Sequence, residues 1–184
     1  MKRFHSFQAE YNVSRPKTIL WIVLPAIVVV AMALLMFLMN RNVTQYNVTM
    51  HGNWINIEGK IYQQFDFDIR STIRHKNDEY DMMQIRVLTP EEFPYILDSG
   101  DTEYRIWNYD QFSYYASPFG ACYNKVLNAP SFAYFALDTE KGYFIASFGA
   151  DSNVYLVGAV DPNVNPQDIL QHFSEFIAVY GNNK

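Results

Sequence analysis

The chain has 184 residues, of which 49% are hydrophobic, 17% aromatic and only 18% charged. Its formal charge is −5, made up of +3 on residues 1–17, +1 from Arg41 and −9 on residues 42–184, so the bulk of the chain repels nucleic acid and anionic headgroups. Cys122 is the single cysteine, which rules out an intrachain disulfide and reads as a small buried apolar residue.

Residues 1–17 form a short basic tail, too short to fold. Residues 18–39, TILWIVLPAIVVVAMALLMFLM, contain no charge, and thirteen of them are Ile, Leu, Val or Phe. About 20 apolar residues are needed to span a bilayer, so the pattern predicts one N-terminal transmembrane helix that contacts membrane lipid. The basic flank is expected to stay in the cytoplasm, which places the rest outside it. Ala31-Met32-Ala33 has the form of a signal cleavage site, but the apolar run continues past it. A linker over 40–44 and a domain over 45–184 complete the expected organisation. Asn42 and Asn47 each begin a glycosylation sequon, a pattern that chance also produces in an Asn-rich stretch.

Alternation with period two dominates after Arg41. Tyr46, Val48 and Met50, then Phe65, Phe67 and Ile69, then Met83, Ile85 and Val87 each mark one apolar face of a half-buried strand. His51-Gly52-Asn53 and Glu58-Gly59-Lys60 read as breaks between strands. Thr89, Pro90 and Glu92 have capping-box form, which predicts a short helix ending at Gly100. Residues 104–107 read as a strand, and 109–123 as a long aromatic loop with short strand pieces. Residues 131–137, 142–148 and 154–160 are three strands joined by turn chemistry and predict a meander. A final amphipathic helix is expected over 166–180, with Asn165 as N-cap and Pro166 at the first position. Its apolar stripe is Ile169, Leu170, Phe173, Phe176, Ile177 and Tyr180. These elements predict a mainly β fold: an antiparallel, jelly-roll-like β-sandwich with a C-terminal amphipathic helix, behind one transmembrane helix.

Chemistry-bearing motifs are few. There is no HExxH, GxSxG, GxGxxG or phosphate loop in the sequence, so no cofactor is expected. Tyr109, Tyr114, Tyr115, Phe119 and Tyr123 form a candidate aromatic recognition surface, although such rings more often fill a core. Asp98, Asp101 and Glu103 around Gly100 could hold a cation such as calcium, but turn chemistry explains them equally well. Asp66 and Asp68 share one strand face, and Asp78, Glu79 and Asp81 read as a solvated hairpin tip.

The stretches MQIRVLTPEEF (83–93) and KGYFIASF (141–148) lie within an order of features, 53–160, that resembles Golgi-dynamics-type (GOLD-like) β-sandwich modules. The first matches a strand leading into a short helix, and the second a Gly-Tyr strand before a turn. The N-terminal anchor and the terminal helix depart from that family, whose usual anchor is C-terminal. The resemblance implies protein interaction rather than catalysis. The sequence therefore points to a membrane-anchored, extracytoplasmic binding module or accessory envelope subunit with a protein partner and no nucleic acid. The alternative is a membrane-anchored hydrolase or carbohydrate-binding protein with an acidic and aromatic site.

Overall fold

The computed structural model describes residues 15–40, 43–77, 80–100, 102–106, 114–148 and 153–181. The chain divides into two compact units, Met1–Arg41 and Asn42–Lys184. In the first, α1 (Arg15–Asn40) carries Pro25 in its interior. The side chains described on it run over residues 23–36, and the large apolar ones are exposed on all sides. The expected transmembrane helix is corrected: no helix among the described residues is long and apolar enough to cross a membrane.

The second unit holds β1 (Val43–Asn56), β2 (Ile61–Asn77), β3 (Tyr80–Leu88), β4 (Tyr95–Asp98), β5 (Tyr104–Ile106), β6 (Tyr115–Asn124), β7 (Ala129–Asp138), β8 (Tyr143–Phe148) and β9 (Val154–Ala159). All pairings are antiparallel. Each strand pairs with the next along the chain, except that β4 and β5 share one edge of β3 in succession, and β6 pairs with β4. The first and last strands then join, His51 to Asn56 against Val154 to Ala159, and close an eight-stranded up-and-down barrel. This overturns the sandwich. A sandwich has two facing sheets with open edges, whereas here the β2–β3 and β1–β9 ladders use those edges and leave one continuous wall.

Alternation sends one set of side chains inward. Phe67, Ile69, Ile73, Ile85, Leu137 and Phe144 are among those that fill the barrel. One end of the interior is sealed by rings. Phe93 is fully buried, edge-on to Trp54 at 5.2 Å and 5.0 Å from Phe65, while Tyr95 stacks on Phe148 at 4.7 Å. Eight strands leave just enough room for side chains to fill or for one small ligand, and here the rings take the space.

The outer face of β7, β8 and β9 is apolar as well. Ala136, Ile145, Tyr155 and Val157 pack there against Ile169, Leu170, Phe173 and Phe176. The expected single C-terminal helix is corrected to shorter pieces: α2 (Pro166–His172), α3 (Ser174–Phe176) and a π-helical turn, Ile177–Gly181. Asn165 caps α2 by accepting from the Gln167 N–H at 3.0 Å. The short helix expected before Gly100 is instead a turn followed by β4, because Pro94 interrupts it and Leu97 pairs with both Val87 and Cys122.

Candidate functional site

Side chains pack the barrel interior, and the candidate site lies on the surface. The β6–β7 turn presents Val126 and Leu127, 78% and 72% exposed, the two most exposed large hydrophobics among the described residues. Their backbone is held firmly. The Asn124 side-chain oxygen accepts from the N–H groups of both residues at 3.0 Å. Lys125 N–H donates to the Pro94 carbonyl at 2.8 Å, and its Nζ donates to the carbonyls of Pro90 at 3.2 Å and Glu91 at 2.9 Å. The Tyr123 hydroxyl donates to the Asn128 side chain, and Asn128 takes φ 51° to turn the chain into β7. Beside the turn, Ile96 and Tyr123 face each other across β4 and β6, both part-exposed. A rigid apolar tip on a polar scaffold is the arrangement of a binding anchor, since little ordering entropy remains to be lost on association.

A second polar constellation lies at the opposite end of the barrel. His75 Nδ1 is 2.8 Å from Asp81 Oδ2, and His75 Nε2 is 3.1 Å from the Thr44 hydroxyl. An ionised carboxylate only accepts, so Nδ1–H donates to Asp81, and in the neutral imidazole Nε2 then accepts from the Thr44 hydroxyl. Asp81 has 7% side-chain exposure and His75 40%, so the carboxylate is buried while the imidazole remains accessible. Tyr115 lies beside it, 6.5 Å from the imidazole between centroids, and burial raises its phenol pKa, with Asp81 and Glu140 adding to the shift.

The aromatic residues singled out in the sequence lie in different places. Tyr114 is buried on the outer wall, 4.7 Å from Phe173 and 5.5 Å from His172. Tyr115 points inward at one barrel end, and Tyr123 sits at the other end beside the exposed turn. Tyr109 and the Phe119 side chain are outside the described residues. Of the acidic candidates, Asp98 binds Arg86 at 2.7 Å and accepts from Gly100 N–H at 2.8 Å, while Glu103 is 3.4 Å from Arg74. Asp101, Asp78 and Glu79 are outside the described residues. Among the described residues no three His, Cys, Asp or Glu side chains gather to hold a metal ion.

Sequence reading passed over both Val126-Leu127 and the Thr44–His75–Asp81 chain. The Asn-Lys-Val-Leu-Asn run, with two hydrophobics flanked by two turn formers, was the available signal for the first. The second had none, since its three residues come from three strands. Neither a family model, a known protein nor a solved structure matches this chain.

Proposed function

We propose that this protein is a membrane-attached, non-catalytic binding module that captures a protein partner on Val126 and Leu127. The carrying observation is the pair of exposed aliphatic side chains fixed on a hydrogen-bonded turn. The side chains packed inside the barrel, Phe67, Ile69 and Phe144 among them, support a surface site. Attachment rests on the exposed apolar side chains of α1, which favour contact with lipid over water. Burying two such side chains in a partner contributes roughly 3–5 kcal/mol, or about 10²–10⁴ in affinity. The test is capture from detergent-solubilised membranes with the full chain and with Val126→Asp/Leu127→Asp. The variant should lose a stoichiometric protein partner while keeping its melting temperature. Equal recovery of that partner by both proteins defeats the reading.

One observation favours a second reading, a hydrolase. Hydroxyl, imidazole and buried carboxylate stand in the order needed for nucleophile, base and orienting group. Thr44 Oγ1 would attack an acyl carbon and pass its proton to His75 Nε2, which returns it to the leaving alcohol. Thr44 and His75 are then both required for turnover of p-nitrophenyl acetate. A rate unchanged in Thr44→Ala and His75→Ala removes this reading and leaves the binding module.

A further inference from the structure

The outer face of β2 and β3 holds an arrangement that sheet packing alone disfavours. Arg70 and Arg86 are direct partners across the ladder, with both side chains on the outside. Like charges placed opposite each other destabilise a sheet. Arg86 is neutralised locally, its Nε 2.7 Å from Asp98 Oδ2. Arg70 has no such partner: among the described residues no carboxylate lies within ion-pair distance of it. The nearest acid along its own strand face, Asp68, accepts from the Thr49 hydroxyl at 2.7 Å.

Arg70 also lines two grooves. One, of about 200 Å³, is shared with Asn47, Gln84, Arg86, Asp98, Ser99 and Gly100, so it holds two guanidiniums and one carboxylate. The other, of about 220 Å³, is shared with Asn47, Thr49 and Asp68. The surrounding residues 42–184 carry −9, so a cation at a concave position with no ion-pair partner among the described residues is a local exception to the charge of the domain.

We infer that Arg70, with Arg86 and Asn47, binds a single oxyanion, a carboxylate or a phosphate, either free or carried on an acidic peptide. A guanidinium fork matches the two oxygens of such a group; Arg70 supplies the charge, and Arg86, held at Nε by Asp98, lines the same groove. Asn47 supplies a neutral amide donor from β1. The first groove is large enough to admit an oxyanion head. A site kept ready for a charged ligand at the cost of stability when empty fits this pattern.

The experiment is thermal unfolding of the full chain at constant ionic strength, with inorganic phosphate, with a Glu-containing peptide and with its Gln counterpart. Phosphate should raise the melting temperature of the wild-type protein. Arg70→Gln should abolish that rise, while melting at the same temperature as wild type, or higher, without ligand. A larger rise with the Glu peptide than with phosphate, absent for the Gln peptide, identifies a peptide-borne carboxylate. A rise with phosphate alone identifies a free anion. No shift with either probe, a shift retained in Arg70→Gln, or a lower melting temperature for the unliganded variant would each overturn the inference.

Discussion

Gly52 on β1 and Gly158 on β9 face each other in the ladder that closes the barrel, and the ring of Phe67 lies against both. A Cβ at position 52 would stand 2.5 Å from Phe67 Cε1, and one at position 158 would stand 2.5 Å from Phe67 Cζ. Both are far inside contact distance, and Phe67 is itself hemmed in, 5.8 Å from the ring of Phe144. Gly158→Ala should therefore destabilise the protein by about 1–3 kcal/mol through overpacking. The double variant Gly158→Ala/Phe67→Leu should recover part of that loss. Urea unfolding of the two single variants and the double variant measures the coupling; additive losses would mean that the ring is not the obstacle.

The C-terminal pieces are fastened by a buried polar contact between Asp138 and His172. His172 Nε2 lies 2.9 Å from Asp138 Oδ2, and the two side chains are only 14% and 2% exposed. Lys141 Nζ is 3.2 Å from His172 Nδ1, so the imidazole is neutral here, donating to Asp138 and accepting from Lys141. Asp138 Oδ1 meanwhile accepts from the backbone N–H groups of Glu140 and Lys141 and shapes the β7–β8 turn. His172→Ala leaves Asp138 short of one partner in a buried place and should cost about 1.5–3 kcal/mol. Lys141→Ala, on the exposed side of the same imidazole, should cost less than about 1 kcal/mol. Chemical denaturation of both variants checks the asymmetry.

Much of the wall was legible and its closure was not. Period-two alternation located β2 and β3, because a half-buried strand writes its two faces into adjacent residues, while apolar runs joined by turn chemistry located β7, β8 and β9. Closure depends on β1 meeting β9 about a hundred residues later, and no local pattern encodes that meeting. Gly52 illustrates the difficulty. In sequence it reads as a break, whereas in the fold it lies inside β1 because a ring from β2 occupies its side-chain space. Asp81 shows the reverse error: it reads as a solvated tip but is buried against His75. The exposed turn was within reach of sequence reasoning. The Thr44–His75–Asp81 chain and the Arg70–Arg86 pair required strand register.

Alkaline pH should unfold the domain through its buried phenols. Burial pushes the Tyr114 phenol from 10.0 up to about 12, the main cause being loss of water around the ionised form. Tyr46, Tyr115 and Tyr155 are raised for the same reason. The folded chain then holds these protons more tightly than the unfolded chain. Their contribution to stability is complete below pH 10 and is lost as pH rises toward about 12. Free energies of unfolding measured at a series of pH values should be flat with respect to these groups up to about pH 9 and then decline. Tyr114→Phe should flatten part of that decline.

Burial raises the Cys122 thiol pKa as well, and the residue is 6% exposed between β4 and β7. A buried protonated thiol is a poor nucleophile, so alkylation by iodoacetamide at neutral pH should be slow in the folded protein and rapid in urea. Mass spectrometry of the modified chain reads both rates. Rapid labelling without denaturant would show that the β4–β6–β7 side of the barrel opens readily.

The presenting turn makes the sharpest separation between stability and recognition. Asn128 holds a left-handed conformation, φ 51°, at the last position before β7, where a β-branched side chain is strained. Asn128→Gly keeps that conformation accessible but removes the acceptor of the Tyr123 hydroxyl, so it should leave stability within about 1 kcal/mol. Asn128→Val should cost about 1–3 kcal/mol. Asn124→Ala removes the oxygen that fixes the N–H groups of Val126 and Leu127 while leaving both side chains in place. If the turn matters because it is preorganised, Asn124→Ala should weaken partner binding about 5- to 10-fold, with its melting temperature little changed, since ordering the tip then costs roughly 1 kcal/mol on association. Affinities of Asn124→Ala and Val126→Asp measured side by side distinguish the two contributions. A loss confined to Val126→Asp would mean that the apolar surface matters and its rigidity does not.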